Sequence, residues 1–331
     1  MRTLSLIVLS FYIVHAAETK ALFPIQRDGK WGFIDQTGSE VVSPKYDQTL
    51  RMTSGLAAFR VGTKWGFIDG AGQVVMPPTI EGGLPPTFCK DVAPYAAGGK
   101  FALLTSNGEL KNYEGVDRYT GCGEGMISIR KSRKWGFVGK SGIVVEPSFD
   151  DVRPFHDGLA GAQLGGKWGL IDLTGSWVVK PQFSRVGMYS EGLAPVAVGE
   201  AWGFVDRTGK MVIAPKFASA LAFSDGRAAV TVLNAENVPT HGFIDRDGKL
   251  IVPPAYRGVS DYHNERAMVF DGKGYGYIDK SGKVAIPLAN TFAGEFQGGL
   301  AAVRRIEGGK EREMYINPAG RVVWRSDSAA K

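Results

Sequence analysis

His156, His241 and His263 are the first residues to weigh for chemistry, because a metal-dependent enzyme holds His, Cys, Asp or Glu at set spacings. None lies within four residues of another, so no zinc motif forms. Both His156, in a connector, and His241, in a slot that other parts of the chain give to Trp, read as structural. Asp150-Asp151 and the pair Glu311 and Glu313 come nearest to the two carboxylates of a glycosidase. Carboxylates in turns are common, and a hydrolase therefore ranks last among the functions considered. Gly272-Lys273-Gly274 and Gly121-Cys122-Gly123 match neither a Walker nor a dinucleotide pattern, and hairpin turns account for both. The expectation is a chain that is not an enzyme, with no catalytic residue, no cofactor and no metal.

What the chain does carry is a period. Trp31, Trp65, Trp135, Trp168 and Trp202 each open a Trp-Gly-(Phe/Leu)-(Ile/Val) segment, their glycines being Gly32, Gly66, Gly136, Gly169 and Gly203. Trp31 to Trp65 is 34 positions, Trp135 to Trp168 is 33 and Trp168 to Trp202 is 34. Phe101, His241, Tyr275 and Glu313 fill the same slot elsewhere, which makes nine units. Units this short have too few residues to bury their own apolar faces, so neighbours must stack and share a core.

The second unit shows the plan. Leu56 to Val61 has strand composition, Gly62-Thr63 is a two-residue turn, and Lys64 to Asp69 is a second strand, which together make a hairpin. The second strand ends in Asp-x-x-Gly, with Asp35, Asp69, Asp172 and Asp206 as formers of type I turns rather than ligands. A third strand follows, such as Val41-Val42 or Val178-Val179, and is expected to stop at a proline such as Pro44 or Pro181. The connector beyond it carries aromatic residues and reads equally as a helical turn or as extended chain. Trp65 and Phe67 point to one face, Gly66 and Ile68 to the other, so both faces have something to bury. The glycine after each Trp reads as room for a neighbouring ring. The fold class expected is all-β: a tandem array of about nine three-stranded antiparallel units of about 34 residues, stacked face to face. An open or superhelical stack is favoured over a closed propeller, because propeller blades have four strands and about 40 to 50 residues. The first and last units are also in the same phase and share no strand.

These units resemble the WG repeat family, in which Trp-Gly-hydrophobic-Ile-Asp/Asn, a turn Gly, Val-Val-x-Pro and Gly-Leu/Tyr-Ala recur. KWGFID at 30–35 and again at 64–69 carries the resemblance, which runs from about Leu22 to Trp324. It departs from the pattern at Lys100-Phe101-Ala102-Leu103-Leu104, at His241 and at Glu313-Met314-Tyr315-Ile316-Asn317. The resemblance implies a bacterial β-repeat module without a shared catalytic site, and fixes architecture better than activity.

The apolar run Leu4 to Val14, followed by His15-Ala16-Ala17, reads residues 1–16 as a signal peptide and 17–331 as the repeat domain, its third unit degenerate over about 84–124. About a dozen apolar residues is short of the roughly 20 that a spanning helix needs. A periplasmic or secreted protein without a membrane span after cleavage is expected. Loss of Arg2 takes the net charge from +6 to about +5, and the basic residues are interspersed with acidic ones, so no nucleic-acid partner is expected. In an oxidising compartment Cys89 and Cys122 would form one disulfide, the alternative being two free buried thiols.

Candidate binding residues lie where units depart from the plan. Trp177 and Trp324 sit outside the motif slot, beside the third strand, and are the candidates if any tryptophan faces solvent. Two hairpins are longer than their siblings, and the second of them holds Arg304 and Arg305. The function expected is a binding or scaffold repeat protein that engages a protein partner. The alternative is an envelope polysaccharide or peptidoglycan held by exposed aromatics.

Overall fold

In every unit the hairpin around the Trp slot forms where the turn admits left-handed backbone; Gly165 and Gly166, at φ 60° and 77°, give the mirror-image turn that matches strand twist. The computed structural model describes residues 21–326 apart from residue 98, so the segment read as a signal peptide lies outside the described residues. Nine antiparallel sheets follow one another along the chain, and seven of them have four strands rather than the three expected. The extra strand is the connector. In the fifth sheet Asp151–Val152 pairs with Leu159–Leu164, which pairs in turn with Lys167–Asp172 and then Trp177–Phe183. The connector is therefore extended, and it adds a strand of two residues in the second, fifth, sixth and ninth sheets and a longer one in the fourth, seventh and eighth. Among the described residues the first sheet (Phe23–Arg27, Lys30–Ile34, Glu40–Tyr46) and the third (Val92–Ala97, Lys100–Thr105, Leu110–Asn112) have three strands.

The third strand does not stop at its proline. In the first sheet Trp31 faces Tyr46 while Phe33 faces Val42, so the partner strand makes a bulge that absorbs Pro44 and the ladder resumes beyond it. The motif glycine makes room for that bulge and not chiefly for a ring, which corrects the sequence expectation. A methyl group on Gly32, Gly136, Gly169 or Gly203 would collide with the main-chain carbonyl of Val42, Val145, Val179 or Ile213.

Core clusters lie between sheets, one to each seam. Trp65 and Phe67 pack with Phe88 and Leu104 toward the third sheet, while Ile68 packs with Phe33 and Val42 toward the first. Such alternation buries both faces of the Trp strand. Of the motif indoles, Trp65, Trp135 and Trp168 are buried, and Trp31 and Trp202 are half-buried.

An open stack of nine sheets has eight seams, but this one has a ninth. Phe23, Ile25 and Ile34 of the first sheet share a core with Leu300, Ala302 and Tyr315 of the last, and the rings of Phe23 and Tyr315 meet edge to face at 5.5 Å. The turn glycines repeat the same signature: Gly175 abuts Val145 and Gly209 abuts Val179 of the preceding sheet, and Gly38 abuts Val323 of the ninth. The chain is thus a closed nine-bladed β-propeller ring. Equal phase at the two ends did not prevent closure, because the ring closes by packing of sheet faces and needs no shared strand.

Candidate functional site

The closing seam holds a cleft of about 530 Å3, and clefts of about 590 and 670 Å3 lie at the seams between the fourth and fifth and between the third and fourth sheets. The outer strand of the first sheet forms one wall with Ile25 and Gln26, the ninth sheet supplies Arg304, Tyr315 and Trp324, and Thr49 and Arg51 of the second sheet complete it. Trp31 reaches the same space, as do Glu311 and Glu313. Trp324 is half-buried, its indole tilted against Tyr315 with centroids 5.8 Å apart. Arg304 lies over the Phe292 ring at 5.6 Å, and the Thr291 hydroxyl donates to Glu311 Oε1 at 2.6 Å. Burial pushes the Tyr315 phenol up to about 12, with Arg51 pulling the other way.

The cleft therefore combines two indoles, two guanidinium groups and two carboxylates on a wall of paired strands. Flat apolar surface beside charge suits a peptide or a sugar ring.

Of the four candidate binding residues, the structure brings Trp324 and Arg304 together here. Trp177 is elsewhere, half-buried between the fourth and fifth sheets with its ring perpendicular to Phe149 at 5.4 Å. Arg305 is spent on structure: its Nε and Nη2 donate to Oδ1 of buried Asn290, at 3.2 and 3.1 Å, tying the ninth sheet to the end of the eighth. Thr49, Arg51 and Tyr315 were not legible as site residues. Their signal was indirect, since the first unit lacks a described counterpart of Gln48–Thr49.

The motif aspartates are held in turns. Asp35 Oδ1 accepts the Thr37 and Ser39 amides, Asp69 those of Ala71 and Gln73, Asp172 those of Thr174 and Ser176, and Asp206 those of Thr208 and Lys210. Hydroxyl donation from Thr174 and Thr208, with the amides, holds the Asp172 and Asp206 carboxyls below the usual range. Asp150, one of the glycosidase candidates, pairs with Lys134 at 2.6 Å and accepts the Gly165 amide. Acids also link units: Asp157 accepts the Glu191 amide, and Glu191 accepts that of Gly226. Cys89 and Cys122 are joined in a disulfide between the third and fourth sheets, their Cα atoms 5.9 Å apart. Among the described residues no group of three or more His, Cys, Asp or Glu could hold a metal ion, and no helix is long and apolar enough to cross a membrane.

A ring of repeated small antiparallel sheets, stapled once and carrying a cleft at its seam, defines a β-propeller repeat protein. The profile of the WG containing repeat matches residues 31–65, 135–168, 168–200, 202–234, 242–273 and 275–310, and the chain belongs to that family. None of the curated proteins matches it. Among solved structures it is similar to the extracellular domain of a hybrid two-component system protein from B. thetaiotaomicron, at 11% identity and a TM-score of 0.28, over 94% of this chain and 57% of that one. It is also similar to the tricorn protease, at 10% identity and a TM-score of 0.28, over 88% of this chain and 31% of that one. The chain thus spans little more than half of the first and under a third of the second.

Proposed function

We propose that this is an exported bacterial protein without catalytic activity, whose ring presents the seam cleft to a protein partner. The convergence of Trp324, Trp31, Arg51 and Arg304 on one cleft carries the reading, because aromatic and Arg side chains together supply the anchors of protein interfaces. The apolar N-terminal run and the Cys89–Cys122 bridge support export to an oxidising compartment. The test is affinity capture from an envelope fraction with the parent chain and with Trp324→Ala/Arg304→Ala. One protein enriched by the parent and lost with the variant is the expected result; equal recovery on both overturns the assignment to this cleft.

The two indoles in the cleft favour a second reading, an envelope polysaccharide or peptidoglycan stacked on Trp31 and Trp324. Retention on insoluble glycan that Trp324→Ala abolishes would select it over the first.

A further inference from the structure

We propose that the closing seam takes an extended segment of the partner protein as the fourth strand of the first sheet, an inference that rests on the protein-binding reading above. The segment it fits carries a small aliphatic residue, then glycine, then any residue, then an aromatic ring. Seven sheets have this fourth strand, and the outer edge of Phe23–Arg27 has none among the described residues. The third sheet also lacks it, but buries Pro85 and Pro86 of its own lead-in segment.

The hydrogen bonds of the ninth sheet show how a fourth strand is held. In the ninth sheet the Gly294 amide donates to the Ala302 carbonyl at 2.8 Å, and Tyr277 of the eighth sheet donates its hydroxyl to the Gly294 carbonyl at 2.7 Å. By strand register Pro24 stands where Ala302 does, and Tyr315 where Tyr277 does. With no strand among the described residues between them, Tyr315 donates straight to the Pro24 carbonyl at 2.9 Å. Its hydroxyl sits on the acceptor that an incoming amide would take, and would then serve the carbonyl of the same incoming residue. Thr49, 4% exposed on the wall of the cleft, has a hydroxyl with no partner among the described residues. Proline at position 24 does not bar a strand, since in the sixth sheet the Pro195 carbonyl accepts the Gly187 amide at 2.8 Å.

That example also sets the sequence the slot prefers. A methyl group on Gly187 would lie 2.5 Å from Pro195 Cγ, so glycine belongs opposite the proline. Val186-Gly187-Met188-Tyr189 fits the pattern and Ala293-Gly294-Glu295-Phe296 repeats it, with the outer residues of both buried. Pairing of this kind takes affinity from the main chain and selectivity from alternate side chains. The chain's own residues in that register are His15 and Glu18, 278 positions before Ala293 and Phe296, and neither matches. The segment proposed is therefore one of the partner protein, which can carry the aliphatic, glycine and aromatic residues that the slot favours.

The test is fluorescence anisotropy of a labelled peptide copying residues 290–297, titrated with the full chain. Saturable one-to-one binding is expected, weakened about tenfold or more by Ala293→Asp or Phe296→Asp in the peptide. Methylating the Gly294 nitrogen should weaken it about threefold to tenfold, the size of one lost hydrogen bond, while methylating the Glu295 nitrogen should not. No binding at millimolar peptide overturns the inference, whether the slot is too tight or is filled by the chain's own first 20 residues. Equal binding of the peptide methylated at Gly294, or self-association of the chain that the peptide does not compete, overturns it as well. A partner captured through Trp324 and Arg304 that the peptide fails to displace removes strand insertion and leaves the protein-binding reading standing.

Discussion

The Tyr315 hydroxyl donates to the Pro24 carbonyl at 2.9 Å, joining residues 291 positions apart across the seam that closes the ring. Tyr315 is 4% exposed, so its ring contributes packing as well as the bond. Tyr315→Phe should cost about 1 kcal/mol, the worth of one hydrogen bond, and Tyr315→Ala about 3–5 kcal/mol. Denaturant midpoints give both numbers, and small-angle scattering of Tyr315→Ala should show a larger radius of gyration. An alanine variant with unchanged stability and radius would mean that the ring is open in solution.

Removing residues 291–331 strips the ninth sheet and bares the faces of the first and eighth. In a closed ring each sheet leans on two neighbours, so the truncated chain should lose its single sharp calorimetric transition and bind an apolar dye. A fragment melting as the parent does would contradict closure.

The motif glycine and the hairpin glycine should differ sharply. Gly169→Ala drives a methyl into the Val179 carbonyl and should destabilise by about 1–3 kcal/mol. Gly166 has φ 77° with open space around it, and Asn tolerates that backbone, so Gly166→Asn should stay within about 0.5 kcal/mol. Urea titration of the two variants side by side checks the contrast.

The Cys89–Cys122 bridge spans a sequence separation of 33 and should contribute about 3–4 kcal/mol by restricting the unfolded chain. Dithiothreitol, or Cys89→Ala with Cys122→Ala, is expected to lower the melting midpoint by several degrees. A midpoint that does not move would place the two thiols apart in solution.

Acid should loosen the turns. Hydroxyl donation from Thr174, Thr208 and Ser281 lowers Asp172, Asp206 and Asp279, and Lys30 and Lys134 lower Asp47 and Asp150. Their contribution is complete above the ordinary carboxylate value of 3.8 and is lost as pH falls below it toward the lowered folded values. Asp261 opposes them, because burial raises its carboxyl and its contribution declines as pH rises above 3.8. The lowered group is larger, so thermal midpoints should fall steeply below about pH 4, and Thr208→Val should flatten part of that slope.

The period, the hairpins and the nine sheets were legible because each is written locally, in a Trp slot, a turn pair or an Asp-x-x-Gly. The fourth strand was not: where it is as short as Asp151–Val152 or Arg185–Val186 it cannot show alternation, and everywhere its pairing depends on a partner strand across a loop. Closure was invisible for a related reason: Phe23 and Tyr315 carry no mark of each other, and curvature accumulates from small rotations between sheets. The glycine after each Trp was misread toward a ring because a bulge at Val-x-Pro cannot be seen in one strand alone. In the site, Trp324 and Arg304 stood out as departures from the repeat, whereas Tyr315 and Thr49 occupy ordinary slots and acquire a role only through the closing seam that they line.

Since Gly38 rests on Val323 as Gly175 rests on Val145, the ring has a beginning only where the backbone happens to be cut. A circular permutant, with residues 326 and 21 bridged by a flexible linker and new ends opened at Gly165-Gly166, should fold to the same circle.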